Sequence, residues 1–216
     1  MRLERRLLGS RNLLVAGCDE VGRGALSGPV SVGMVLIDRA TRGALPGVRD
    51  SKLLSASERE RLIPRIRHWS LGGHVGHASA EEVDVWGLTG ALRLAGHRAL
   101  VGLPFIPDVI ILDGRHDWLT PPLQESLLPS SKDLLIGFPR VVTLIKADLT
   151  CSSVAAASVL AKVTRDAIMV DLATHYPSYG WDSNKGYGSA HHIEEIRQRG
   201  PTKHHRRTWL KLSPGS

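Results

Sequence analysis

Four carboxylates stand at the ends of apolar, strand-like runs. Asp19 and Glu20 follow Val15–Cys18, Asp113 follows Val109–Leu112, and Asp148 comes shortly after Val141–Ile145. In open α/β sheets, ligands bind where strands end. Four acids brought together could not all stay ionised without a counter-charge. Mg²⁺ and similar hard cations supply that charge and take oxygen ligands. Two such ions about 3.5–4 Å apart form the clamp used for in-line attack on phosphodiesters. Asp is also common at strand-to-turn junctions, because it tolerates irregular backbone and caps helices. Pattern alone therefore leaves the structural and the catalytic readings both open. Geometry adds a condition: neighbouring residues on a regular strand point to opposite faces. Asp19 and Glu20 share a site only if the strand ends or bulges there, which Gly22 permits.

The elements that must position these acids follow from periodicity. Val15–Cys18 reads as a first strand, broken by the Gly22-Arg23-Gly24 turn, and the apolar run Val30–Ile37 as a buried second strand. Ser55 with Glu58 and Ser79 with Glu82 are capping boxes. They predict helices to about Arg67, distorted at Pro64, and to about Val101, with a strand over Gly73–Ala78 between them. Glycines in the second of these helices imply close packing. An Ala-rich helix is predicted from Ser153 to about His175, and a last helix over Ala190–Arg199. Ser158, Lys162 and Arg165 form one polar stripe on the Ala-rich helix. An antiparallel meander joined to strands reached by crossovers predicts an α/β fold with a mixed central sheet.

The chain has 216 residues and a formal net charge of +7. Its apolar runs are far shorter than the ~20 residues of a spanning helix, and no secretory signal is evident. Two cysteines cannot make a disulfide framework, so the chain is read as cytoplasmic. The excess charge sits at the ends. Residues 1–11 carry four basic residues against one acidic, and 181–216 carry seven against three. Such ends suit either a solvated surface or a polyanion-binding one. His191, His192, His204 and His205 lack cysteine partners and zinc spacing, so a structural zinc site is not expected.

The stretch from Gly17 to Gly24 (GCDEVGRG), with Ser27-Gly28-Pro29-Val30, resembles the signature of bacterial ribonuclease HII, a type 2 ribonuclease H. Further pieces follow in that family's order: Asp50-Ser51-Lys52-Leu53, Leu112-Asp113-Gly114, Lys146-Ala147-Asp148, and the 155–166 run AAASVLAKVTRD. Tyr176-Pro177, Asn184–Gly188 with His192, and His205-Arg206 complete the set. The resemblance implies a ribonuclease H-like fold with a C-terminal helical extension. It divides the chain into a flexible basic segment (1–12), a catalytic domain (13–180) and a basic helical segment completing the substrate cleft (181–216).

It further implies hydrolysis of the RNA strand of RNA–DNA hybrids with Mg²⁺ or Mn²⁺. Incision 5′ of single ribonucleotides in duplex DNA is implied as well, leaving 3′-hydroxyl and 5′-phosphate ends. Carried over, Asp19, Glu20, Asp113 and Asp148 are the catalytic, metal-holding acids. Gly22-Arg23-Gly24 reads the 2′-hydroxyl, the group that separates RNA from DNA. Tyr187 stacks on the sugar just 3′ of the ribonucleotide. Lys52, Lys162 and Arg165 are candidate phosphate contacts, and a phosphate role is also expected of Arg206 and Arg207.

Thr150 departs from a lysine common in relatives, and Thr208-Trp209 from a common Ser-Phe. Cys18 and Cys151 flank two of the acids, so their thiols are either neighbours or two small buried residues. Ribonuclease HIII carries an extra N-terminal domain, for which 18 residues before Asp19 leave no room. The alternatives are another ribonuclease H-like nuclease or a non-catalytic hybrid-binding protein. The chain is read as a monomer with no membrane association.

Overall fold

The structure, a computed structural model, describes residues 1–9, 13–48, 51–122 and 138–210. Asp50 of the DSKL run lies outside them. Among the described residues the main elements are α1 (Arg2–Gly9), β1 (Leu14–Val21), β2 (Val30–Asp38), α2 (Ala56–Trp69) and β3 (Gly72–Ala78). Then follow α3 (Ala80–Val101), β4 (Val109–Asp113), β5 (Arg140–Leu144), α4 (Ser152–His175) and α5 (Ala190–Arg199). The five strands form one sheet in the order β3-β2-β1-β4-β5. The β1–β2 and β2–β3 pairs are antiparallel, and β1–β4 and β4–β5 are parallel. This is the mixed sheet expected of a meander joined to crossovers.

Both capping boxes are formed. Ser55 and Ser79 accept from the backbone of Glu58 and Glu82, whose carboxylates reach back to the cap N–H groups. Pro64 lies within α2. α3 is interrupted at Gly87, where φ is 66° and ψ 170°.

The two faces of the sheet carry separate cores. Ala16, Cys18, Val32, Met34, Ile110 and Leu112 pack under α3. On the other face Val15, Ile37, Val109 and Ile111 pack against α1 and the start of α4. Val35 meets α2 and the alanines of α4. Cys18 and Cys151 therefore belong to opposite faces. They are two small, buried, free thiols, not neighbours.

Two expectations are corrected. The strand through Asp19 neither ends nor bulges there: Asp19 pairs with Gly33, Glu20 with Val32 and Val21 with Ser31. The two acids thus point to opposite faces. The N-terminal segment, expected to be flexible, is the helix α1, with Glu4, Leu7 and Leu8 buried. Its apolar residues repeat at helical spacing and cover the end of the sheet, which outweighs the repulsion of its arginines.

α4 lies on the sheet at a distance only glycine allows. A Cβ at Gly17 would run into the backbone of Ser153 and Val154, and one at Gly33 into the Ala157 carbonyl. Backbone cannot step aside as a side-chain tip can, so overpacking is costly here. Gly17→Ala should destabilise the fold by about 2 kcal/mol, read as a lower urea midpoint at unchanged m-value.

Candidate active site

Asp19 and Asp113 stand side by side at the C-terminal ends of β1 and β4, and Glu20 follows Asp19 on the opposite face. Asp19 follows Cys18, the last residue paired with β4, and Asp113 follows its partner Leu112, so the two stand side by side. Alternation places both on the α4 face. Asp19 is buried and is pushed up to about 8, first by burial and then by the Glu20 carboxylate, with Asp113 adding to it. The Ser158 hydroxyl and the Glu20 N–H pull it partly back. Asp113 Oδ1 accepts from the Ala147 N–H at 2.7 Å. That bond ties β4 to the turn Ala147–Leu149, where Asp148 sits, past the end of β5. Lys146 enters this turn at φ 55°, a left-handed conformation that a non-glycine residue holds only under constraint.

Glu20 Oε1 accepts from Arg23 Nη1 at 2.8 Å. Its other oxygen, Oε2, is buried without any hydrogen-bond partner. A buried carboxylate oxygen left unpaired is costly. Among the described residues no three ligating side chains already converge on one point. Even so, the donor set fits a divalent cation: hard oxygens, mutual repulsion and one orphaned oxygen.

Beside the acids, the loop from Gly22 to Pro29 is held by two buried guanidiniums. Arg206 donates to the carbonyls of Gly22, Arg23 and Gly28. Arg165 donates to those of Ser27, Pro29 and Lys185. Both are fully buried. Arg165 and Arg206, expected to meet phosphates, are instead buried and bonded to carbonyls inside the protein. The exposed Arg23 guanidinium is engaged with Glu20.

The 181–210 segment is sewn to this loop through its backbone. Leu26 and Ser27 donate to the Gly186 carbonyl, Gly28 to that of His204, and Arg206 donates back to Leu26. Tyr187 is partly exposed. Its ring lies 5.4 Å from the Arg165 guanidinium and 5.9 Å from the Lys162 ammonium. Lys162 also donates to Asp166 at 2.8 Å, so its charge is already partnered. Lys52 is exposed on the turn Ser51–Leu53. There Ser51 Oγ lies 2.8 Å from Ser158 Oγ on α4, which brings the DSKL run toward Asp19.

Composition alone gave no hint of a buried histidine pair. His192 Nδ1–H donates to the Tyr187 carbonyl, and its Nε2 accepts from Trp181 Nε1–H. His205 Nδ1 accepts from the Thr202 N–H, so its own Nε2–H points at His192 Nε2, 3.2 Å away. Both rings are neutral in this arrangement. Asp84 of α3 accepts from Arg207, Thr208 and the Thr208 hydroxyl, fixing the far end of the segment. Neither Asp84 nor the caging role of Arg206 carries a local sequence signal, since both act through backbone groups distant in the chain.

A mixed sheet with acids at its strand ends and a basic segment alongside defines a nuclease of the ribonuclease H type. The family model for ribonuclease HII matches residues 16–212. A ribonuclease HII from Streptomyces coelicolor is 45% identical over 199 residues, covering 92% of this chain and 78% of the relative. Among solved structures, ribonuclease H2 from Pyrococcus horikoshii superposes with a TM-score of 0.71 at 30% identity, covering 91% and 94% of the two chains. Bst-RNase HIII in complex with Mn²⁺ gives a TM-score of 0.58 at 25% identity, covering 87% and 63%. The chain belongs to the ribonuclease HII family. It is a ribonuclease H, a divalent-metal-dependent endonuclease of RNA–DNA hybrids. Among the described residues no helix is long and apolar enough to cross a membrane.

Burial, then the neighbouring His192, lowers His205 to about 4. An unfolded histidine protonates near 6.5. The neutral pair therefore contributes its full stability above pH 6.5 and loses it as pH falls from there toward 4. The thermal midpoint should drop across that window, and His205→Gln should flatten that part of the profile.

Proposed function

We propose that this enzyme cleaves the RNA strand of hybrids and also incises duplex DNA 5′ of a single embedded ribonucleotide. The products carry 3′-hydroxyl and 5′-phosphate ends. Asp19, Glu20, Asp113 and Asp148 would hold two Mg²⁺ or Mn²⁺ ions, the latter being the ion in the Bst-RNase HIII complex. Such a pair of ions, when bound, activates water and stabilises the departing 3′-oxygen. The observation that carries the reading is a juxtaposition. The Gly22-Arg23-Gly24 loop continues directly from Asp19-Glu20, and bonds tie it to the Tyr187 turn, more than a hundred and fifty residues further along the chain.

Each residue has a task within that frame. Gly24 has no atom within 4 Å of where a Cβ would be and no left-handed φ. The fold does not demand a glycine there; a closely approaching 2′-hydroxyl does. Gly22, by contrast, is needed by the fold: its φ is 84° and a side chain would strike Arg165. The partly exposed Tyr187 ring, with two cations against it, would stack on a sugar. A 2′-hydroxyl at that sugar would crowd the ring, which favours deoxyribose at the step after the ribonucleotide. Arg207 and Lys52 are exposed, and each would meet a phosphate of the duplex. A monomer in a reducing, cytoplasmic compartment suits the two free, buried cysteines.

The decisive experiment uses a DNA duplex with one embedded ribonucleotide, with Mg²⁺ or with EDTA. Incision 5′ of the ribonucleotide only with the metal supports the reading. No incision, or equal incision of an all-DNA duplex, overturns it, and binding without incision favours a hybrid-binding protein. Asp113→Asn should abolish cleavage while duplex binding persists. Gly24→Ala should fold as well as the parent but cut on the order of a hundredfold more slowly. Arg207→Ala should weaken binding to all duplexes alike and flatten its salt dependence.

A further inference from the structure

α1 packs against the start of α4 and the turn that carries Asp148. Glu4 is fully buried. Its Oε1 accepts from the Ser153 N–H at 3.0 Å and from the Ser153 hydroxyl at 2.9 Å. Ser153 lies in the first turn of α4, where backbone N–H groups lack partners within the helix and the dipole favours a negative charge. Cys151, the residue before α4, has no side-chain cap of its own, so Glu4 supplies the cap from another element. Immediately upstream is the turn that carries Asp148. Cys151 donates to the Ala147 carbonyl at 2.7 Å, and Ala147 donates to Asp113. Leu7 and Leu8 anchor α1 in the same core as Ala147, Cys151 and Val154.

We propose that Glu4 is a positioning residue for the metal-holding acids. It fixes the start of α4, and with it the 147–151 turn that sets Asp148 against Asp113. The inference rests on reading Asp113 and Asp148 as metal-holding. It is not a substrate contact, since Glu4 is sealed between α1 and α4 on the inner side of the turn. Groups that orient a ligand from behind commonly change metal affinity or rate by 10–100-fold when removed. Without the cap, α4 would begin later and the Asp148 turn would lose one of its two fixed ends.

The test compares the full chain with Glu4→Ala and Glu4→Gln. Mn²⁺ binding is read by titration calorimetry, and kcat and KM on an embedded-ribonucleotide duplex are read below the unfolding temperature. Glu4→Ala should bind Mn²⁺ about tenfold more weakly and lose about tenfold in kcat with KM unchanged. Glu4→Gln, which keeps an acceptor at Oε1, should recover most of both losses. If Glu4→Ala does not fold, Glu4→Asp, with its carboxylate drawn back by one methylene, carries the same expectations. Lower thermal stability with parental Mn²⁺ affinity and kcat would overturn the inference, as would a Gln variant no better than Ala. Asp148→Asn run in parallel separates the two claims. Parental Mn²⁺ binding in that variant would sink the metal reading itself, whereas its loss alongside an intact Glu4→Ala would sink only the positioning role.

Discussion

The site depends on like charges being forced together where they are partly out of water. Asp19 and Asp113 stand on adjacent parallel strands, Glu20 follows Asp19 directly, and burial and these neighbours make ionising Asp19 costly. A free peptide would let these groups move apart. Here they cannot, because β1 is the middle strand of the sheet and α4 lies on it at glycine distance. The packing of apolar side chains on both faces holds Asp19 beside Asp113, and one Glu20 oxygen is buried without a hydrogen-bond partner. Functional sites commonly hold strain that the surrounding fold over-determines. A divalent ion is the group whose charge and oxygen preference relieve it.

A second constraint complements the first. The loop beside the acids is rich in carbonyls that turn inward, and two guanidiniums with no carboxylate partner in their bonding satisfy them. Arginine suits this better than lysine, since its planar fork reaches several acceptors at once. One of the two comes from α4 and the other from the C-terminal segment. The loop therefore takes its shape only when both are docked. The histidine pair fixes the Tyr187 turn in the same way, through a backbone carbonyl. The Gly22–Pro29 loop, the Tyr187 turn and the Asp19-Glu20 strand end are parts of one bonded unit.

Periodicity and caps made most of the elements legible. β2, α2, β3, α3, α4 and α5 lie where apolar spacing and the Ser/Glu boxes put them, within a residue or two. Strand ends were harder to read. Nothing local says that pairing continues through Asp19 and Glu20, because that is decided by the facing residues Gly33 and Val32. In α1 the charge masks the pattern. Its arginines suggested a free tail, while Leu7, Leu8 and the single acid Glu4 were its buried face. Arg165 and Arg206 show the same limit at the site. Their motifs were visible, but a buried guanidinium bonded to carbonyls and an exposed one waiting for phosphate are the same letter. Only the carbonyls of a loop more than a hundred residues away distinguish them.

If Asp19, Glu20 and Asp113 hold metal, a divalent ion relieves their mutual repulsion. Thermal unfolding of the parent and of Asp113→Asn, each in EDTA and with Mg²⁺, tests it most directly. Removing one charge should make the variant more stable than the parent in EDTA. Mg²⁺ should raise the parent's midpoint and leave the variant's nearly unmoved. A variant less stable than the parent in EDTA, or an equal Mg²⁺ shift in both, would contradict the account.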